Sequence, residues 1–266
     1  MGISEREMRT FEGFKAIIAR LRGPDGCPWD RAQTHASLKP YLLEETYEAL
    51  AALDEGDPQK LRDELGDLLL EVFLHVQLAE EAQEFTLADV IYGIASKIVR
   101  RHPHVFGEEQ ADSPQQVMVR WEALKRKERG PQDSALTGVP QAMPALARTQ
   151  MLLARAASVG FEWPQTVDVL DKLGEELKEL AEAGEPDHKR EELGDVLFLV
   201  VNLARYLDLD AEEALRQADR KFYQRFTTME TLAHEQGRSL ADMPLAEQGA
   251  LWRAAKERLR AEGGSP

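Results

Sequence analysis

Hydrophobic side chains recur every three or four residues along most of the chain, which is the period of an amphipathic α-helix. This pattern predicts a first helix marked by Phe11 and Leu21, a second over 37–54, a third that begins at Pro58, and a fourth over 87–101. Ser113-Pro114 should open a fifth helix that carries Trp121 and Leu124. We find no convincing alternation of the β-strand type. The sequence therefore predicts an all-α fold.

The helical pattern occurs twice. The segment DPQKLRDELGDLLLEV at 57–72 returns as EPDHKREELGDVLFLV at 185–200, and EETYEAL at 44–50 returns as EELKEL at 175–180. Between the copies, residues 130–144 contain three prolines, two glycines and no clear period, which is typical of a linker. We therefore expect a tandem duplication, with an N-terminal domain over 1–129, a linker over 130–144 and a C-terminal domain over 145–266.

Acidic residues interrupt the apolar face of each predicted hairpin. Glu45 falls on the apolar stripe of the second helix, and Glu48 lies beside it one turn further along. Glu64 and Asp67 share one face of the third helix at the same spacing. A tight turn would fold these two helices antiparallel, so the four carboxylates could converge. The second copy repeats the arrangement with Glu176, Glu179, Glu192 and Asp195.

Carboxylates that converge in this way need a cation, because they repel one another and lose hydration. Oxygen ligands suit Mg²⁺, with Mn²⁺ as a plausible substitute. A solvated acidic surface accounts less well for acids on the apolar stripe or for the mid-helix Gly66 and Gly194, which suit the close approach of another backbone or a ligand. Di-iron chemistry is disfavoured because Asp67 and Asp195 stand where such bundles use histidine.

Basic and aromatic residues accompany the acids in both copies. The basic clusters are Lys97, Arg100 and Arg101 in the first copy and Lys221 and Arg225 in the second. Trp121 with Lys125, and Trp252 with Lys256, place an indole one helical turn from an ammonium group. Beside a magnesium site, these residue types are suited to hold phosphate oxygens and to stack under a base. The combination indicates a nucleoside triphosphate site.

The composition excludes several other classes. The net charge of −15 is divided almost equally between the two halves, so neither half offers a basic surface for nucleic acid. The longest apolar run, at 196–201, is too short to span a membrane, and the charged N-terminus shows no signal peptide. The lone Cys27 excludes an intrachain disulfide and is compatible with a reducing cytoplasm. These observations together lead us to expect a cytoplasmic protein. We interpret Cys27 and His75, whose counterpart is Leu203, as structural residues.

These motifs resemble the MazG nucleoside triphosphate pyrophosphohydrolases. The resemblance is carried by CPWDRAQTHASLKPYLLEETYEAL, ELGDLLLEV, RRHPHVFG and RWEALKRKER, followed by VGFEWP and EELKEL…EELGDVLF, from about residue 7 to 260. It implies an all-α fold whose helix pairs dimerise into four-helix bundles. It also implies Mg²⁺-dependent cleavage of NTPs and dNTPs to the monophosphate and pyrophosphate.

The resemblance also implies roles for individual residues. The metal ligands would be Glu45, Glu48, Glu64 and Asp67 in the first half and Glu176, Glu179, Glu192 and Asp195 in the second. Phosphate and base contacts would come from Lys221, Arg225, Trp252 and Lys256, and in the first half from Lys97, Arg101, Trp121 and Lys125. The second half has no counterpart of THASLKPY or of His102-Pro103-His104, so one half could have lost activity or become regulatory. The resemblance favours the C-terminal half as the main catalytic unit.

Several alternatives stay open at this point. Glu44 and Glu175 lie about 100° round the helix from the ligand face, where they would either assist the attacking water or simply face solvent. A non-catalytic sensor that binds an NTP or an alarmone and controls a partner is the rival function, although a complete acid quartet in each half favours catalysis. The base preference is undecided, because a tryptophan stacks under any base. The bundle could pair two chains or the two halves of one chain.

Overall fold

The structure is a computed structural model that describes residues 3–110, 113, 116–117, 120–121, 124 and 133–261. The chain divides into two compact units, Met1–Trp121 and Glu122–Pro266. The described residues form helices and contain no β-strand, so the all-α prediction is confirmed. The predicted helix that opens at Ser113-Pro114 lies largely outside the described residues. The domain and linker bounds chosen from the sequence stay predictions.

The described part of the first unit contains six α-helices after a short 3₁₀ helix, Glu7–Arg9. They are α1 (Phe11–Arg22), α2 (Pro28–Ala32), α3 (Lys39–Glu55), α4 (Pro58–Glu81), α5 (Leu87–Arg101) and α6 (Pro103–Phe106). Local sequence sets the turn between α3 and α4. Gly56 ends α3 in the left-handed region at φ +67°, and the Asp57 side chain accepts the backbone N–H groups of Gln59 and Lys60.

The core of the first unit lies between α1 and the α3–α4 hairpin. Its buried residues are Ile18, Leu38, Phe73 and Leu74. At the edge of this core, Arg22 forms a salt bridge of 2.8 Å to Glu81, which fixes α1 along α4. The next helix behaves differently, because α5 has a strongly apolar face and yet contains no buried residue. Leu87 at the start of α5 packs against this core, whereas Ile91, Tyr92 and Ile94 further along the helix are exposed.

The second unit repeats the hairpin. Its helices are α7 (Ala145–Ala157), α8 (Thr166–Glu182), α9 (Pro186–Tyr206), α10 (Ala211–Glu235) and α11 (Leu245–Ala261), with a 3₁₀ helix at Leu240–Asp242. The α8–α9 hairpin is the counterpart of α3–α4, so the predicted duplication is confirmed. The turns differ in detail. Gly184 does not have a positive φ, and the side chain of Glu185 makes no capping hydrogen bond to α9.

Two small cores hold the second unit together at opposite ends of α10. Near its start, Ala211 packs with Leu153 of α7 and Val201 of α9. Near its end, Met229 and Ala233 pack with Met243, Leu251 and Ala255. The stretch of α10 between these cores carries the exposed side chains of Phe222 and Tyr223. None of the helices in the described ranges is long and apolar enough to cross a membrane.

Candidate metal and nucleotide site

The α3–α4 hairpin brings together three of its four predicted metal ligands. Glu45, Glu48 and Glu64 each offer a carboxylate oxygen, and these three oxygens lie within 4.8 Å of one another. Glu45 and Glu64 are half-buried, whereas Glu48 is exposed. Asp67 lies outside this group. We call these three residues the first glutamate group.

Negative charge is concentrated at the first glutamate group. Burial raises the pKa of Glu45, and the charges of Asp67 and Glu48 raise it further. The pKa of Glu64 is also raised, first by burial and then by Glu48 and Asp67. No salt bridge among the described residues neutralises any of the three glutamates. Asp67 is therefore close enough to act on the group electrostatically, although its oxygens stand apart from it.

The α8–α9 hairpin forms a second glutamate group in the same way. The oxygens of Glu176, Glu179 and Glu192 lie within 4.8 Å of one another, and Asp195 again stands outside. Glu176 and Glu192 are buried, at 8% and 7% exposure, while Glu179 is exposed. Glu192 Oε2 has no hydrogen-bond partner, and burial is the main cause of the raised pKa of this residue. An unpaired buried oxygen that points into a group of acids is available to a cation.

Two basic side chains distinguish the second glutamate group from the first. Lys172 Nζ lies 2.9 Å from Glu176 and 3.0 Å from Glu175, and these contacts raise the pKa of Lys172. His188 Nε2 lies 2.9 Å from Glu192. Neither partner was predicted from the sequence, although each stands four residues before its glutamate, the spacing that puts two side chains on one helix face. Of the two roles left open for Glu175, the structure shows only that its carboxylate pairs with Lys172.

Both glutamate groups fit a hard divalent cation. Octahedral Mg²⁺ holds oxygens at about 2.1 Å, so its ligand oxygens lie roughly 3 to 4 Å apart. Three carboxylate oxygens within 4.8 Å approach that spacing and need only small side-chain rotations to reach it. Oxygen-only ligands favour Mg²⁺ or Mn²⁺ over softer metals. The donor set in each hairpin therefore agrees with the predicted cofactor, and the roles of these residues as ligands stay predictions.

The first unit also contains a buried acid that was not predicted from the sequence. Glu71 is 5% exposed, its Oε2 has no hydrogen-bond partner, and its pKa is raised by burial and then by the charge of Glu45. His75 follows one turn later, and its ring stacks on that of His35 with the two Nδ1 atoms 2.7 Å apart. The helical spacing of Glu64, Asp67 and Glu71 shows in the sequence that the three share one face of α4, but it does not show that Glu71 is buried.

The basic and aromatic residues assemble into pairs of their own. The guanidinium of Arg225 lies 5.9 Å from the ring centre of Trp252, and that of Arg101 lies 5.4 Å from Trp121. Lys221 and Lys256 are half-buried, while Lys97 and Arg100 lie on the exposed part of α5. No hydrogen bond or salt bridge in the described part of the second unit joins Lys221 or Arg225 to the second glutamate group. Lys125 lies outside the described residues.

The mid-helix glycines are open on the side where a side chain would stand. A Cβ atom placed on Gly66 or Gly194 would meet no other atom within 4 Å. The close approach predicted from these glycines is therefore not made by the described residues of the chain itself. The missing side chains leave space at both positions for a ligand or a second chain.

Comparison with known proteins matches both hairpins to one family. The model of the MazG nucleotide pyrophosphohydrolase domain matches residues 33–106 and again residues 166–229. The chain is 45% identical over 247 residues to the nucleoside triphosphate pyrophosphohydrolase/pyrophosphatase MazG of Thermotoga maritima, covering 92% of this chain and 95% of that protein. It is 41% identical over 257 residues to the nucleoside triphosphate pyrophosphohydrolase of Escherichia coli K12, covering 94% and 98%. A third relative, the uncharacterized protein YabN of Bacillus subtilis, is 46% identical and is matched over 52% of its length.

Proposed function

Because the chain belongs to the MazG nucleotide pyrophosphohydrolase family, we propose that it hydrolyses nucleoside triphosphates to the nucleoside monophosphate and pyrophosphate. The observation that carries this proposal is the pair of glutamate groups, one in each family domain, with three carboxylate oxygens within 4.8 Å of one another. The names of two relatives that align over nearly their whole length support the same reaction. Substrates of this class carry the phosphate charge that such cation sites are suited to bind.

Each glutamate group would hold Mg²⁺, and Mn²⁺ would serve as a substitute. The residues are Glu45, Glu48 and Glu64 in the first unit and Glu176, Glu179 and Glu192 in the second, with Asp67 and Asp195 joining them as outer carboxylates. When bound, the cation would neutralise phosphate charge and make a water molecule more acidic. The carboxylates themselves would fix where the triphosphate lies along the hairpin, because both helices of the hairpin contribute to each group.

The basic and aromatic pairs would bind the rest of the substrate. Lys221 and Arg225 would donate hydrogen bonds to phosphate oxygens and stabilise the departing pyrophosphate. Trp252, with Lys256 one turn away, would stack under the base. Stacking on an indole does not distinguish one base from another, so we propose activity on both NTPs and dNTPs with broad base specificity. Lys97, Arg101 and Trp121 would do the same for the first unit.

We propose that a second copy of the chain completes the site. Large apolar side chains are exposed on the hairpin and on the following helix of each unit, namely Leu65, Ile91, Tyr92 and Ile94 in the first and Leu177, Leu193, Leu197 and Phe222 in the second. An exposed apolar surface of this kind marks an interaction site. Pairing of hairpins into a four-helix bundle would cover it and would bring basic residues of α5 or α10 towards the acids. A fully active monomer in sedimentation at micromolar concentration would instead favour pairing within one chain.

The test of the proposed reaction is pyrophosphate release from a panel of four NTPs and four dNTPs with Mg²⁺. We expect the monophosphate and pyrophosphate in equal amounts, and no turnover when EDTA removes the cation. Ca²⁺ should support binding better than turnover because its coordination is looser. Nucleoside diphosphate and free phosphate as the only products would show cleavage at the γ-phosphate and overturn the proposal. Tight binding without any product would favour the nucleotide sensor.

A further inference from the structure

Glu71 is a carboxylate that the proposed chemistry does not use. It follows Glu64 and Asp67 on one face of α4, at steps of three and four residues. It is 95% buried, and its Oε2 has no hydrogen-bond partner. An ionised carboxylate in such a place is unfavourable unless a proton or a cation neutralises it. The second unit has Leu199 at this position, so the acid belongs to the first unit alone.

No positive charge of a described residue lies against Glu71. Glu45 of α3 faces it closely enough for the two charges to interact, and Asp67 precedes it by one turn on its own helix. His75 follows it by one turn, and the Nε2 atom of His75 is also buried without a partner. No lysine or arginine in the described part of the chain pairs with Glu71. Two unpartnered buried atoms thus stand on successive turns of α4, next to the first glutamate group.

The histidine pair is compatible with a ligand role for His75. The Nδ1 atoms of His75 and His35 lie 2.7 Å apart, so one ring donates and the other accepts. In the tautomer in which His75 donates through Nδ1, its Nε2 carries a lone pair directed into the protein. Metal-binding histidines commonly donate their second ring nitrogen to a neighbouring acceptor in this way. His35 belongs to the THASLKPY motif that the second half lacks.

We propose that Glu71 and His75 form an additional cation position that extends the first glutamate group deeper along α4. The charge of Glu45, a member of that group, acts on Glu71. The donor atoms of Glu45, Glu71 and His75 do not all lie within 4.8 Å of one another, so these side chains must rotate to meet at one cation. The mixed oxygen and nitrogen donors favour Mn²⁺ over Mg²⁺. The first unit would then bind one more divalent cation than the second. This inference rests on the proposed function, because it assumes that the glutamate groups are cation sites.

The experiment counts Mn²⁺ bound to the full chain by titration calorimetry and by the loss of the free Mn²⁺ electron paramagnetic resonance signal. Glu71→Gln keeps the shape and removes the charge, and we expect it to lose one Mn²⁺ per chain, or to bind that ion at least 10-fold more weakly. Asp63→Asn removes an exposed charge from the same helix and should keep every ion. Pulsed resonance should detect an imidazole nitrogen beside Mn²⁺ in the unmodified chain and lose it in His75→Gln.

Thermal unfolding provides a readout that does not depend on activity. Without cation, Glu71→Gln should unfold at the same temperature as the unmodified chain or higher, since it removes an unpaired buried carboxylate. With Mn²⁺, the variant should gain less stability than the unmodified chain. Glu71→Leu, which places the residue of the second unit in the first, should behave in the same way if Glu71→Gln does not fold.

The outcomes separate this inference from the proposed function. Unchanged Mn²⁺ number and affinity in Glu71→Gln would show that Glu71 is a protonated buried acid, and would overturn the inference while pyrophosphate release continues. If Glu71→Gln loses an ion but the unmodified chain shows no nitrogen coupling to Mn²⁺, the proposed role of His75 as a ligand would be overturned. An unmodified chain that binds no Mn²⁺ and releases no pyrophosphate would overturn the proposed function itself.

Discussion

The two glutamate groups share a backbone and differ in charge. In the first unit, Glu45, Glu48 and Glu64 meet without a salt bridge in the described ranges, and Glu71 adds a further unpaired acid. In the second unit, Lys172 and His188 already pair with Glu176 and Glu192. The counterpart of Lys172 is Tyr41, and the counterpart of His188 is Lys60, which pairs with Glu55. The two copies therefore share the hairpin but differ in charge. The second group already has basic partners, whereas the first depends more on a bound cation for positive charge.

Two sites of the same geometry therefore need not depend on a metal ion to the same degree. A cation that enters the second group competes with an ammonium and an imidazole already present there. A cation that enters the first group meets carboxylates that form no salt bridge with a described residue, and it is attracted more strongly. The first unit should therefore bind divalent ions more tightly, although the resemblance favours the second unit as the main catalyst. Tight binding and fast turnover are separate properties, and the two units allow them to be measured side by side.

The two units should differ most in how much activity is lost when one metal ligand is changed. Glu179→Gln removes one charge from the second group without changing its shape, and should reduce kcat/KM by about 100-fold or more, the scale of losing one essential electrostatic contact. Glu48→Gln makes the matched change in the first group and should leave most of the activity. Steady-state pyrophosphate release measures both. Equal losses would mean that the two groups work as a coupled pair, and a large loss from Glu48→Gln alone would identify the first unit as the main catalyst.

A smaller effect tests whether Lys172 weakens cation binding in the second group. Lys172→Met removes the ammonium beside Glu176, and should raise the Mn²⁺ affinity of the second group by no more than about five-fold, since solvent weakens a partly exposed ion pair. Lys178→Met is the matched control on α8, because in the described part of the chain the salt bridge of Lys178 is to the exposed Glu182 and not to the second glutamate group. The measurement is Mn²⁺ titration in a Glu48→Gln background. Unchanged affinity would show that Lys172 leaves the group before the cation enters it.

The pH dependence of metal binding should also differ between the units. The raised pKa values of Glu45 and Glu64 mean that protons compete with the cation at a higher pH than for ordinary carboxylates. In the second group, burial raises the pKa of Glu192, and the hydrogen bond from His188 opposes that rise. As the pH falls from 7 towards 5, the Mn²⁺ affinity of the first group should therefore weaken earlier. Titrations in the Glu179→Gln and Glu48→Gln backgrounds report the two groups separately, and identical pH profiles would contradict this expectation.

The same pKa values set the sign of a stability effect in the absence of cation. A glutamate whose folded pKa is raised above 4.5 stabilises the fold below that pH, and this contribution is lost as the pH rises through the folded value. Glu64→Gln removes the titrating group, so its melting temperature relative to the unmodified chain should be higher at pH 7 than at pH 4.5. Calorimetric melting in EDTA measures the difference. Glu84→Gln, which changes an exposed glutamate beyond the end of α4, should show no such trend.

Features that depend on local interactions were predicted correctly from the sequence, whereas features that depend on packing between helices were not. The predicted helices over 37–54 and 87–101 are found at Lys39–Glu55 and Leu87–Arg101, because apolar period and capping residues are local signals. The convergence of three glutamates per hairpin was also predictable from spacing. The inclusion of Asp67 and Asp195 in these groups was also expected from spacing, but the structure leaves both outside. The burial of Glu71 depends on packing around α4, which a periodic pattern does not contain. The cytoplasmic location, the lack of nucleic-acid and membrane partners and the dimer stay predictions.

The smallest expected effect concerns the glycines that both hairpins carry between their acids. Alanine in mid-helix is favoured over glycine by about 1 kcal/mol, and the chain leaves open space at both positions. Gly66→Ala and Gly194→Ala should therefore each raise the melting temperature by about 2–4 °C if nothing else approaches the helix.

A second chain or a nucleotide that occupies this space would change the result, because the added methyl group would weaken dimerisation or raise KM while the isolated fold is stabilised. Sedimentation and kinetics on the same two variants distinguish these cases. If only Gly194→Ala impairs the enzyme, the close approach that the glycine permits belongs to the catalytic unit, and the first unit keeps its glycine for cation binding or by descent.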